Sequence, residues 1–252
     1  MNLLSYLLTY LLVFFTLIPM YSLAIMVGFF DRSAAWRIIV IWNRLFLWLF
    51  KIEVEVEYEN PKIDLSSGYV VVGLTQQSLL DPLIGQAVAP KIFMSIWNIE
   101  YALIPFIGWI SFFFGWVIIR QWPKQAKKTL EKAISYIRKG GAVYLSIEGK
   151  RSKDGSVGLY KKGPVVLAIQ ANAKIIPVIV HGSRYCLPYG EWKIRPGKVT
   201  VNFLKEISTE GMEYEDRDFL VNELRKLAER ELKLRVSASD DSDAYIKLKQ
   251  NS

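Results

Sequence analysis

The stretch VVVGLTQQSLLDPLIG, residues 70–85, decides how this chain is read. Val70, Val71 and Val72 form a run that suits a buried strand, because β-branched side chains pack well on a pleated surface. A short polar turn follows, and the pair Asp81–Pro82 then suits the N-cap and first position of a helix. Two glutamines, Gln76 and Gln77, occupy the turn, where a group able to move a proton is expected. An amide can hydrogen-bond a hydroxyl but has no useful basicity near neutral pH.

Working outward, apolar runs alternate with helix-like segments over most of the chain. KIEVEVEYEN (51–60) sets Ile52, Val54, Val56 and Tyr58 against Glu53, Glu55, Glu57 and Glu59, a period of two that predicts a strand with one wet face. Further apolar runs bounded by turn residues follow at 69–75, 92–96, 115–120, 142–147, 175–180 and 198–204. Helices are predicted at 82–88, at 123–138 with Pro123 leading, at 162–172 and at 215–234. Such alternation predicts an α/β fold with a central mixed sheet flanked by helices. No internal repeat is visible.

At 252 residues the chain suits one sizeable domain with appendages. Hydrophobic residues make up 52% of it, with 8 Trp, 13 Tyr and 13 Phe, and the net charge is +8. A basic protein seeks nucleic acid, anionic lipid or phosphorylated substrates, and the hydrophobicity favours lipid. Nucleic acid is not an expected partner: no helix-turn-helix or RNA-recognition motif is present, and the charge is spread along the chain. The lone Cys186 excludes an intramolecular disulfide framework, and with the lone His181 it leaves no expected metal site. Both read as scaffold residues.

The first 30 residues contain no Asp, Glu, Lys or Arg, more than the ~20 apolar residues that cross a bilayer. They lack the basic start and small-residue cleavage site of a signal peptide, and so predict a membrane-embedded helix that Pro19 kinks or divides. Arg32, Arg37, Arg44 and Lys51 all follow it, which predicts a cytoplasmic location for the remainder. SAAWRIIVIWNRLFLWLF (33–50) reads as an interfacial helix, with Trp36, Trp42 and Trp48 at a headgroup boundary; a core helix is the alternative. The expected organisation is therefore membrane-embedded and interfacial helices over 1–50, an α/β domain over 51–236 and a frayed polar tail over 237–252.

Four blocks in order, TQQSLLD (75–81), GWVIIR (115–120), SIEGKRS (146–152) and IIPVIV (175–180), resemble the motifs of the glycerolipid acyltransferase family, in particular the bacterial 1-acylglycerol-3-phosphate acyltransferases. The resemblance extends over about residues 36 to 205 and includes LIPFIGW (103–109) and the text from 151 to 178. It implies transfer of a fatty acyl group from a thioester, acyl-CoA or acyl carrier protein, to a lysophospholipid hydroxyl, with no other cofactor. In such enzymes a histidine removes the hydroxyl proton and an aspartate five residues on orients it. Those catalytic positions are Gln76 and Asp81 here, so the base is replaced by an amide.

The resemblance assigns substrate binding to Ser78, Arg120, Glu148, Gly149, Lys150 and Arg151. Arginine forks suit a phosphate, and glycine admits close backbone approach. Lys153, Lys161 and Lys162 are further cations that face headgroups or water. The chain departs from the family pattern at Ser146, Ile147 and Ile119, and at Asn98 and Ile99, where many relatives carry lysine. The Gln76 position leaves a second reading open, a catalytically impaired relative that binds lysolipid or acyl chains as a sensor or scaffold.

Overall fold

The computed structural model describes residues 3–103, 108–109, 111–119 and 121–250, with the side chains at 98, 101, 111 and 235–250 left aside. Two helices come first, α1 (Leu3–Gly28) and α2 (Arg32–Leu49), and then the strands β1 (Ile52–Tyr58) and β2 (Tyr69–Gly73). Next are α3 (Asp81–Val88), β3 (Phe93–Asn98), the short α4 (Ile99–Ala102) and α5 (Ser111–Phe114), β4 (Gly115–Ile118) and α6 (Pro123–Arg138). The chain continues through β5 (Ala142–Ser146), α7 (Gly163–Ala171), β6 (Lys174–His181), α8 (Ser183–Cys186) and β7 (Gly197–Phe203). A 3-10 turn, Tyr214–Asp216, leads into α9 (Arg217–Gln250).

The strands form one mixed sheet in the order β1-β7-β6-β2-β5-β3-β4, all neighbours parallel except β6 and β7. Strand β2 is central: Gly73 lies in register with Ser146 of β5 on one side and Val178 of β6 on the other. Its period of two divides the core. Tyr69 packs with α2 and α3, while Val70 and Val72 pack with α6, α7 and α9 on the opposite face.

Helix α1 runs through Pro19 as one element and is long and apolar enough to cross a membrane. Leu4, Leu8, Leu11 and Phe15 recur at helical spacing on its exposed side, and Tyr21 and Ala24 are buried against α2. The Tyr21 ring meets Trp42 edge-on at 5.1 Å. Helix α2 starts at Asp31, whose side chain accepts from the amides of Ser33 and Ala34.

Of the three tryptophans expected at a headgroup boundary, Trp36 and Trp42 lie inside this packing and Trp48 is exposed. Trp36 and Trp42 are buried in the core, Trp36 edge-to-face with both Phe93 and Phe114. Each such large side chain contributes roughly 1.5–3 kcal/mol by leaving water. Arg37, Ile41, Arg44 and Trp48 form the strip of α2 left outside. At the other end, residues 237–250, expected as a frayed tail, continue the backbone of α9 without a break.

Candidate active site

Two segments leave the carboxyl ends of neighbouring strands, the edge of an α/β sheet where ligands gather: the turn 74–80 after β2 and the loop 147–162 after β5. Hydrogen bonds bind one to the other. The Gln76 amide donates to Glu148 Oε2 at 2.6 Å, the Ser152 amide donates to the Gln76 carbonyl at 2.8 Å, and Gln77 Nε2 donates to the Gly155 carbonyl at 3.2 Å. Below them the Ile147 amide donates to the Gly73 carbonyl at 3.0 Å, and the Tyr160 hydroxyl donates to the Leu74 carbonyl at 2.7 Å.

Asp81 is the first residue of α3, but its side chain does not cap that helix as the sequence suggested; Leu80 holds the N-cap position. The carboxylate turns back instead, and Oδ2 accepts from the amides of Gln77 and Ser78 at 2.8 and 2.9 Å. Its other oxygen, Oδ1, is buried with no hydrogen bond to any described group, as are the hydroxyls of Thr75 and Ser183. Leaving such an atom unsatisfied costs about 1–3 kcal/mol. Burial pushes the Asp81 carboxyl up to about 6. The nearby Ser183 hydroxyl, the two amides and the charge of Arg151 oppose that rise, Ser183 without closing a hydrogen bond.

Glu148 exposes as little surface, with the opposite arrangement of donors. Each oxygen takes one amide, Oε2 from Gln76 and Oε1 from Gly158 at 2.7 Å. Burial raises its pKa as well, against those two amides, and the Asp81 charge adds to the rise. Gly149 follows in the left-handed region at φ +68°, which only glycine adopts cheaply. Lys150 is exposed, and Arg151 lays its guanidinium over the Tyr189 ring at 4.8 Å.

Behind the turn a narrow apolar pocket follows β2 beneath α3. The same-face residues Tyr69, Val71, Gly73 and Thr75 line its floor, and Asp81, Gly85 and Ala89 line it at intervals of one helical turn. Val178, Val180, Val201, Phe203, Phe93 and Tyr144 make its walls apolar. Asp81 and Thr75 mark one end. At the Tyr69 end Lys91 sets its ammonium 5.1 Å from the ring centre and donates to the carbonyls of Leu65 and Gly140. From Tyr69 to Thr75 the strand direction spans roughly 20 Å.

Against known proteins, the acyltransferase family profile matches residues 52–181, which contain the turn, the loop and the cavity floor. The chain belongs to the acyltransferase family. It is 30% identical over 193 residues to the chloroplastic 1-acyl-sn-glycerol-3-phosphate acyltransferase LPAT1 of Arabidopsis thaliana, covering 75% of this chain and 52% of that one. It is 25% identical over 173 residues to the 1-acyl-sn-glycerol-3-phosphate acyltransferase of Pseudomonas aeruginosa, covering 68% and 66%. The chain thus spans about half the length of the Arabidopsis relative. Its fold matches the crystal structure of PlsC, an acyltransferase from Thermotoga maritima, with TM-score 0.74 at 24% identity over 92% of this chain and 96% of that one.

Within this family member the sequence-derived site residues fall into three groups. Gln76, Asp81, Glu148, Gly149 and Arg151 come together at the turn and loop. Gln76 and Asp81 share no hydrogen bond: Gln76 Oε1 accepts from the Ser146 hydroxyl at 3.4 Å. Ser78 is a tie, since its fully buried hydroxyl donates to the Leu187 carbonyl and accepts from the Leu80 amide. Arg120 lies outside the described residues. Lys162 pairs with Asp218 of α9 at 2.7 Å, whereas Lys153 joins Arg151 over Tyr189 at 5.5 Å. Tyr189, Ser183 and Tyr144 were missed, because no local pattern marks a residue that reaches the site only through the fold.

Proposed function

We propose that the protein transfers a fatty acyl group from the thioester of coenzyme A or acyl carrier protein to the free hydroxyl of a lysophospholipid, 1-acylglycerol-3-phosphate above others. The observation that carries this reading is a buried carboxylate, Asp81, at one end of a pocket with apolar walls, beside the loop that carries Gly149, Lys150 and Arg151. The loop with Gly149, Lys150 and Arg151 is bonded to the same turn, so a phosphate there lies beside the reacting hydroxyl. Glu148, with both oxygens engaged by amides, serves this reading by holding turn and loop together rather than by touching an anion. The relatives carry the name of this activity. The exposed leucines and phenylalanines of α1 suit a bilayer, and Arg32, Arg37 and Arg44 beyond it suit the cytoplasmic face.

Gln76 favours a second reading, a lipid-binding relative without turnover, since its side chain meets Ser146 and offers no base. One assay separates the two. Full-length protein in vesicles is given labelled acyl-CoA or acyl carrier protein thioester, with lysophosphatidate or a neutral monoacylglycerol as acceptor. Label in phosphatidate supports transfer. Saturable retention of lysophosphatidate with no labelled product supports the binding reading.

A further inference from the structure

The acyl-transfer reading leaves one question open, which group takes the hydroxyl proton when Gln76 cannot. We propose that Asp81 is itself the proton acceptor, through the Oδ1 atom that no described protein donor holds. The inference rests on the acyl-transfer reading and adds a role for Asp81 beyond orienting a neighbour.

Three observations converge on it. Both amides reaching Asp81 go to Oδ2, which fixes the carboxylate and leaves Oδ1 without a hydrogen bond inside the protein. Thr75, whose buried hydroxyl also lacks a partner, lines the same cavity as Asp81. A substrate hydroxyl entering there would donate to Oδ1 and accept from Thr75, satisfying both atoms. Finally, the Gln76 side chain makes no hydrogen bond to Oδ1, and its Oε1 accepts from the Ser146 hydroxyl.

The chemistry balances without another reactant. The substrate O–H bond breaks and its proton passes to Oδ1 as the oxygen bonds to the thioester carbonyl carbon. The tetrahedral intermediate then expels the sulfur, the C–S bond breaks, and the departing thiolate takes the proton back from Asp81. Ester and thiol leave, and the carboxylate is regenerated. Burial brings the carboxyl up to about 6, close enough to neutrality to accept and return a proton. The groups facing it are Arg151 and the Ser183 hydroxyl, which hold its pKa down, and Glu148 and Tyr144, whose own pKa values its charge raises.

The test measures labelled acyl transfer from acyl-CoA to lysophosphatidate by the full chain in phosphatidylcholine–phosphatidylglycerol vesicles, from pH 5 to 8. The unaltered protein should turn over, with kcat rising to a plateau through a midpoint near 6. Asp81→Asn, which keeps an oxygen for the two amides, should lose at least ~100-fold in kcat with little change in KM. A kcat that is flat over this range overturns the inference whether or not the variant folds, as does a folded Asp81→Asn that retains the rate. No turnover in the unaltered protein together with activity in Gln76→His would also overturn it, while leaving the acyl-transfer reading standing. No transfer by either protein, with any lysolipid, would remove both.

Discussion

Asp81 and Glu148 are both buried carboxylates at the same end of the sheet, 5% and 4% exposed, and they differ in how their oxygens are engaged. Glu148 spends one oxygen on the turn and the other on its own loop, so it works as a rivet between two backbone segments. Asp81 receives both of its amides on one oxygen and leaves the other bare. Both expose little surface and accept two amides, yet one has a donor on each oxygen and the other leaves Oδ1 without one. Burial alone therefore does not mark a reacting group; the count of donors on each oxygen does.

The largest effect expected from this contrast is at the rivet. Glu148→Ala removes the acceptor of two charge-assisted bonds and leaves the Gln76 and Gly158 amides unsatisfied, at a cost on the order of 3 kcal/mol or more. Glu148→Gln should also destabilise, because its NH₂ must face one of those N–H groups, donor against donor. Urea unfolding at neutral pH measures both. A glutamine variant as stable as the parent would mean that the amides do not depend on the second oxygen.

Asp81→Asn should act in the opposite direction. The carboxyl ordinarily titrates near 3.8, and burial in the fold raises this to about 6. Between those values the folded chain keeps a proton that the unfolded chain has released, so stability falls as pH rises through the window and the loss is complete above about 6. A shift of this size corresponds to roughly 3 kcal/mol. Asparagine mimics the protonated acid and avoids that loss. Its gain in stability should appear at pH 8 and vanish below pH 4, while activity disappears, the exchange expected where a site is kept strained for function. Equal stability of the two proteins at pH 8 would show that solvent reaches the carboxylate.

Much of this architecture was legible in the sequence, and what was not has a physical reason. The strands were readable because Val70–Val72 and the Glu-alternating β1 carry a period of two, and α6 because Pro123 opens it where a proline costs nothing. The division of α2 into a buried and an exposed side was not readable, because an apolar helix packed under α1 looks, in one dimension, like a helix lying on lipid; contacts such as those of Trp36 with Phe93 and Phe114 arise only in the fold. The Asp-Pro pair located the start of α3 correctly and yet misled about the carboxylate, which closes the turn behind it. Pairings between distant segments, such as Gln76 with Ser146, leave no local trace at all.

The smallest expected effect lies at the rim of the site, where Arg151 is placed by a ring rather than by a carboxylate. Its guanidinium lies over Tyr189, whose loop is fastened to the apolar helix α1: the Tyr10 hydroxyl donates to the Trp192 carbonyl, and the Trp192 ring meets Tyr6 edge-on at 6.3 Å. Arg151→Ala should weaken lysophosphatidate binding about 10- to 150-fold, the span of a charge-assisted bond, and leave a neutral monoacylglycerol nearly unaffected. Tyr189→Ala removes only the support. A cation–π contact at a ring 44% exposed is worth about 0.5–1 kcal/mol, so the loss should be roughly two- to fivefold, again confined to the phosphorylated ligand. Tyr189→Phe keeps the ring and should bind as the parent does. Equilibrium binding to vesicles carrying either ligand separates these cases. If Tyr189→Ala weakens both ligands alike, the ring supports the loop as a whole; if it weakens neither, Arg151 holds its position without the ring.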